Sequence, residues 1–396
     1  MAPTDRDLDS KRPDWRPDAL PLNPLEVASG LIIGATAEPV ADLGLSRAMT
    51  PLTALEGSVL AGLTRPPCLV SFSGGRDSSA ILAVAADLAR REGLDLPVPA
   101  TIRFPNAPET DEASWQEEVI RHLGLVDWHT VTFDDELDLL GPTATKALRR
   151  HGLLWPSNSH FHVPLLEAAR GGSLLTGIGG DEVLGWWPWA RAAAVLSGEE
   201  TPRLRDVLRV GLALAPRPIK RAVFRRRGAI SLAWLRPAAA ARVRSESAAE
   251  DASMPHSWRA RGNWLAHRRY LQVNLHSMNL LARDTGTAVF HPMLDGRFLV
   301  ALGSAGRRSG FPDRTEAMLH LFSGLLPVHV LRRTSMPSFD TIFWHRHSRS
   351  FAEMWDGGGV DTNLVDPDKL QRIWLSDTPD GRSSTLLQAA WIAGHG

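Results

Sequence analysis

A chain of 396 residues with 43% hydrophobic content has enough apolar material for one large domain or two ordinary ones, which excludes disorder as its main state. Forty-four Lys and Arg balance forty-four Asp and Glu, so no global field draws the chain to nucleic acid or to an anionic membrane, and neither is expected as a partner. Cys68 is the single cysteine, which excludes a disulfide framework, cysteine-based zinc sites and any mechanism that needs two thiols. No apolar run approaches the roughly 18 residues of a membrane span. The N-terminus is polar and Pro-rich, unlike a signal peptide, and a cytoplasmic location is the expectation.

Residues 1 to about 22 carry charge and proline without periodicity and read as a mobile or draped arm. Short helices are expected from Pro24 to Leu63. The first clear strand is Cys68-Leu69-Val70-Ser71-Phe72, too apolar for a sheet edge. Ser73-Gly74-Gly75-Arg76-Asp77-Ser78-Ser79 follows at once, and then a helix with Ala80, Ile81, Val84 and Leu88 on one face and Gly93 placed to end it. Val98 to Phe104 reads as a second strand, Asp111 to Leu123 as a helix stopped by Gly124, and Trp128 to Phe133 as a third strand. This alternation predicts a parallel sheet covered on both faces. Helical patterns over about 135–151 and 160–170 lead to a short strand, Ser173 to Thr176, and a second glycine loop, Gly177-Ile178-Gly179-Gly180-Asp181-Glu182. In a doubly wound sheet both loops open at the carboxyl edge, where ligands bind.

Between Arg203 and Arg269 sixteen Arg or Lys face four Asp or Glu, with prolines at 216, 218, 237 and 255, which predicts a basic helical subdomain. That segment offers a docking face for an acidic peptide or carrier protein, the ordinary alternative being a solvated helical face. From Tyr270 to Phe343 apolar helical periodicity returns, and a glycine-rich break at 357–359 precedes a last amphipathic segment. The expected organisation is an N-terminal extension over 1–60, a nucleotide-binding core over 61–190, a basic helical insertion over 191–270 and a helical completion over 271–396.

The first loop has a definite chemistry. Its glycines let backbone N–H groups approach an oxyanion, Ser73 and Ser78 add hydroxyl donors, and the following helix contributes a partial positive charge at its N-terminus. Asp77 would repel a bare phosphate, so it implies a divalent cation, Mg²⁺ above all, between carboxylate and phosphates. The competing reading is a glycine turn with an Asp cap. The loop is not a Walker loop, because no Gly-Lys-Ser/Thr follows.

Ser-Gly-Gly-x-Asp-Ser after a strand resembles the pyrophosphate loop of the PP-loop ATP pyrophosphatases. The second loop, about a hundred residues on, resembles that of the asparagine-synthetase branch. Pro108-Glu109-Thr110-Asp111-Glu112 through Gly124 is similar to the acidic turn and helix of that branch. Arg283-Asp284 with Pro292-Met293-Leu294-Asp295 is similar to its Arg-Asp and Pro-Phe-Leu-Asp signature. The resemblance implies an α/β fold, a parallel-sheet PP-loop domain with a largely helical C-terminal half. It implies ATP with its pyrophosphate on Ser73, Gly74, Gly75 and Ser78, and adenine against Leu69, Val70, Ser71, Ile102 and Arg103. The second loop would contribute Thr176, Gly177, Gly179 and Gly180, with Mg²⁺ held by Asp77 and Asp181. The implied reaction is attack of a small-molecule or peptide carboxylate on the α-phosphorus, followed by displacement of AMP by an amine whose identity is open. β-Lactam synthetases and lasso-peptide cyclases share this look.

Three departures qualify that expectation. Asparagine-forming members carry a glutaminase domain with cysteine at position two; here that position is Ala2, so glutamine-derived ammonia is not expected. Ile178 stands where relatives carry Glu or Tyr, and an aliphatic side chain moves no proton. The family lysine after a Leu-Pro signature is missing, for no lysine exists between 221 and 368. Arg332 or Arg333, after Leu326-Pro327, is expected to replace it, with a surface arginine pair as the alternative. His160 and His162 are candidate bases or structural histidines, Trp186, Trp187 and Trp189 candidate pocket walls or core, and Glu182 a loop-orienting residue. Two other functions compete. Thiolation chemistry needs persulfide-carrying cysteines, which Cys68 alone argues against. A degenerate synthetase serving as a nucleotide-binding scaffold is favoured by Ile178 and the missing lysine and opposed by the intact loops.

Overall fold

A computed structural model describes residues 21–39, 49–185, 187–228, 230–334 and 339–395. Most of the expected N-terminal arm, with Trp186, lies outside the described residues. The centre is a five-stranded, wholly parallel sheet formed by β1 (Cys68–Ser71), β2 (Val98–Arg103), β3 (His129–Thr132), β4 (Ser173–Leu175) and β5 (Ala288–Phe290), in the order β3-β2-β1-β4-β5. β1 sits between β2 and β4, with Val70 opposite Pro99 on one side and Leu175 on the other. The chain winds outward from β1 to β3 and then returns to β4, which makes the β1/β4 junction the switch point where a crevice opens at the carboxyl edge.

Alternation along β1 sorts the two faces of the sheet. Cys68, Val70 and Phe72 enter the core that includes the Pro51–Leu63 and Arg76–Glu92 helices, whereas Leu69 joins Ala100 and Leu174 against the Val163–Ala168 and Arg269–Thr285 helices. The Arg76–Glu92 helix stops at Gly93 and the Ala113–Leu123 helix at Gly124. The larger core continues without a break into Trp258, Leu265, Phe298, Phe322 and Leu331, so the segment over 191–270 shares it with the sheet.

A second core joins segments distant in sequence. Leu25 and Ala28 of the Pro24–Ser29 helix meet Trp234, Trp344, Trp355, Trp374 and Trp391. The buried carboxylate of Asp138 joins the turn over 135–141 to the 345–348 segment: it accepts from the backbone of Leu140 at 2.8 Å, His345 at 2.9 Å and Ser348 at 3.1 Å, and from the Ser348 hydroxyl. Its two oxygens thereby serve as a remote cap for the Arg346–Met354 helix.

Three sequence expectations are corrected. The helical stretch over 135–151 is helical only from Pro142 to His151, because residues 135–141 turn around Asp138. The stretch over 160–170 divides into a tight 3₁₀ turn, Ser159–His162, and the Val163–Ala168 helix. The run from Tyr270 to Phe343, expected to be helical, contains β5, whose three residues complete the sheet beside β4.

Candidate active site

The two glycine loops meet at the β1/β4 switch point. In the first, Gly74 adopts a left-handed backbone (φ 85°), where a side chain is disfavoured, and an added Cβ would also lie 3.0 Å from Gln116 Cγ. Ser73 and Ser78 hydroxyls are 3.1 Å apart, Gly75 N–H donates to Ser73 Oγ at 3.3 Å, and Gln116 holds the Ser73 carbonyl at 3.0 Å. Gly75 caps the following helix without any side-chain acceptor, which leaves first-turn N–H groups facing the crevice for an anion.

The second loop packs directly against this one. A Cβ on Gly180 would lie 2.2 Å from Asp77 Cγ, so only glycine permits the carboxylate its position. Arg261, buried, donates to the carbonyls of Glu182, at 2.6 Å, and Val183, closing the short Gly180–Leu184 helix from below. Burial pushes this guanidinium down to about 10, and it pushes the Glu182 carboxyl up.

Asp77 and Asp181, from different loops, are joined by one residue that sequence reasoning missed. Arg314 opens the Arg314–Phe322 helix; its Nη2 contacts Asp77 Oδ2 at 2.5 Å and its Nη1 contacts Asp181 Oδ1. The two carboxylates thus lie within the span of a single guanidinium. Burial raises the Asp77 carboxyl, Arg314 acts against that rise, and Asp77 Oδ1 is buried without a hydrogen-bond partner. Two carboxylates with an orphaned oxygen beside a phosphate-type loop fit Mg²⁺, which takes few protein ligands and completes its shell with phosphate and water. Among the described residues no group of three or more His, Cys, Asp or Glu converges as a metal cage.

The two arginines expected to supply charge are placed differently. Arg333 is buried, donates to the Gly74 carbonyl at 2.9 Å, pairs with Glu112 and lies over the Trp115 ring at 4.7 Å. It therefore braces the first loop. Arg332 is exposed. Of the expected adenine contacts, Leu69 and Val70 are enclosed in the ladder at 4% and 0% exposure and present no free group, whereas Ser71 and Arg103 stand at strand ends. Arg103 stacks on Trp128 at 4.7 Å and its Nε is buried without a partner, while Ile102 is half-buried. Ile178 packs its side chain against the main core.

The histidines separate by environment. His160 is held between the carbonyls of Leu137 (2.9 Å) and Ser157 (3.3 Å), the arrangement of a structural histidine. His162 is half-buried; desolvation and then the charge of His160 push it down to about 4, with Nδ1 unpartnered. His291, just past β5, binds the Thr176 hydroxyl through Nδ1 at 2.7 Å; burial, then the charge of His162, lower it to about 3. Its Nε2 is unpartnered, so two neutral rings with unused nitrogens flank the start of the second loop. Trp187 and Trp189 are buried and donate to the carbonyls of Pro255 and Met254, as core residues do. Trp187 nonetheless lines a cavity of about 600 Å³ shared with Gly185, Arg191, Trp258, Phe311 and Arg314.

A parallel sheet with a glycine anion loop at its switch point and paired carboxylates beside it defines an α/β nucleotide-binding protein of the PP-loop type. The sequence profile of the asparagine synthase family matches residues 53–392, and the chain belongs to that family, whose members are ATP-dependent synthetase-type ligases. A search among curated proteins finds no match. Among the described residues no helix is long and apolar enough to cross a membrane.

Proposed function

We propose that this chain joins a carboxylate to an amine in two steps at the β1/β4 crevice. A carboxylate oxygen attacks the α-phosphorus of ATP, the bond to the β-phosphate breaks, and pyrophosphate leaves. The amine nitrogen then attacks the acyl carbon, AMP departs, and the nitrogen gives up a proton. The observation that carries this reading is the convergence of Asp77 and Asp181 on one cation position beside the Ser73–Ser78 loop.

Asp77 and Asp181 would hold Mg²⁺, which neutralises phosphate charge and the leaving pyrophosphate when bound. The chain's own part is positioning. Gly74 and Gly75 turn backbone N–H groups toward the phosphates, Ser73 and Ser78 supply hydroxyl donors, and Arg333 fixes the loop through the Gly74 carbonyl. Arg314 is the cation nearest the paired carboxylates and supplies the positive charge that the missing family lysine would contribute. His291 Nε2, neutral and unpartnered beside the start of the second loop, is available to accept a proton, a role Ile178 cannot fill.

Ile178 favours a second reading, a nucleotide-binding scaffold without turnover. ATP–pyrophosphate exchange against pooled carboxylic acids and peptides separates the two. Exchange that requires magnesium and disappears in Asp77→Asn supports the ligase; magnesium-dependent ATP binding without exchange across broad pools supports the scaffold.

A further inference from the structure

Six of the eleven exposed large apolar side chains among the described residues fall between 196 and 219, and Leu204 at 92% and Leu208 at 82% are nearly naked. Clustering of that kind marks a binding surface, since scattered exposed leucines are ordinary and contiguous ones are not. The Asp206–Leu214 and Arg217–Arg227 helices frame a groove of about 730 Å³ whose floor is Trp189, Phe224 and Met254 and whose walls include Leu208, Leu212 and Ile219.

Charge around the groove has one dominant sign. Arg209 and Arg227 line it, and exposed Arg217, Arg221, Arg225 and Arg226 stand on the second helix. Asp206 pairs with Arg191 at 2.6 Å and with Arg209 at 3.4 Å, and Asp251 is the one acidic lining residue. The groove also leads somewhere. Pro188 and Arg209 line both it and the 600 Å³ cavity that includes Arg314, so the groove and the cavity beside the paired carboxylates adjoin at these two residues. A bilayer offers a flat face, whereas this surface is concave and sunk between helices, the shape that accepts an amphipathic segment.

We propose that the acyl substrate is a peptide: an apolar segment flanked by carboxylates lies in the groove, and the carboxylate to be activated extends through the Arg191–Trp258–Phe311 cavity to Arg314. The identity of that carboxylate rests on the ligase reading above; the groove's preference for an acidic amphipathic segment does not. Affinity here comes from apolar burial, and the arginine rim selects the sign of charge.

Fluorescence anisotropy without nucleotide tests this on the full chain. The probe is a short fluorescein-labelled peptide with leucines at i, i+3 and i+4 spacing and glutamates elsewhere; its counterpart carries lysines for glutamates. The glutamate peptide is expected to bind and the lysine peptide to fail. Leu208→Glu and Arg227→Glu should each weaken binding by about tenfold or more, while Leu375→Glu, at another exposed leucine, leaves it unchanged. Leu208 and Arg227 are exposed, so these variants keep the fold, which circular dichroism verifies. Equal binding of both peptides, or indifference to Leu208→Glu, overturns the proposal. So does a dimer in sedimentation that Leu208→Glu dissociates, or Leu208-dependent binding to phosphatidylserine vesicles in place of the peptide. Magnesium-dependent ATP binding, measured separately by calorimetry, reports on the ligase reading alone.

Discussion

Arg314 Nη2 lies 2.5 Å from Asp77 Oδ2, across 237 residues of sequence, and the same guanidinium holds Asp181. A side-chain cation here fills the role that a divalent ion would fill with nucleotide present. Removing it leaves the two carboxylates facing one another with Arg76 as the remaining nearby cation. Arg314→Ala should lower the melting temperature without magnesium and recover more stability from added Mg²⁺ than wild type does. Melting curves with and without the ion check this, and equal magnesium gains in both proteins would count against it.

Asp77 carries a cost that has a definite pH dependence. Burial raises its carboxyl above the ordinary range, so the folded chain holds that proton more tightly than the unfolded chain. Its contribution favours the fold below the ordinary carboxylate value and is lost as pH rises through the raised one. Asp77→Asn should therefore keep or gain stability at neutral pH while weakening Mg·ATP binding by about tenfold or more. Parallel urea titrations and calorimetry measure both halves.

The two histidines beside the second loop have the opposite sign. His162 and His291 are lowered to about 4 and about 3, so the unfolded chain takes up protons that the folded chain refuses. Stability is full above the ordinary histidine value and falls from there down toward pH 4 and below. His291→Gln, which retains a partner for Thr176, should flatten the urea-midpoint profile across that window. An unchanged slope would show that the ring is not held neutral.

Arg333 and Glu112 form a buried pair beneath the first loop. Breaking such a pair from one side strands the other charge, at about 3–5 kcal/mol. Arg333→Ala should lose that much in urea unfolding. Arg332→Ala, at an exposed position, should stay close to wild type.

Gly180 faces Asp77 so closely that a methyl group would lie 2.2 Å from its carboxyl carbon. Gly180→Ala should displace the second loop and abolish magnesium-dependent ATP binding while leaving the helical content intact. Calorimetry beside circular dichroism decides it.

The first four strands and both loops were legible because alternation, glycines and apolar runs are local signals. β5 was not: Ala288-Val289-Phe290 is too short for a period-two pattern and lies between helical stretches. The span over 135–141 looked helical because Leu137, Leu139 and Leu140 are apolar, yet they enter two different cores while the backbone turns around Asp138, a tertiary arrangement. At the site, Asp77 and Asp181 could be found by motif. Arg314 could not, for it is one arginine among forty and only the fold carries it to the loops. His291 was overlooked inside the stretch ending Pro292-Met293-Leu294-Asp295, where the proline and acid drew the reading.

The tryptophan-rich core has a bearing on how the chain matures during synthesis. Leu25 and Ala28 are among the first described residues to leave the ribosome, yet their partners include Leu387 and Trp391 on the Ser384–His395 helix. The sheet can close around β1 and β4 earlier. The Pro24–Ser29 helix must wait, apolar face unpaired, until almost the whole chain has emerged, so this half of the protein completes its fold last and is the part most exposed to nascent-chain chaperones.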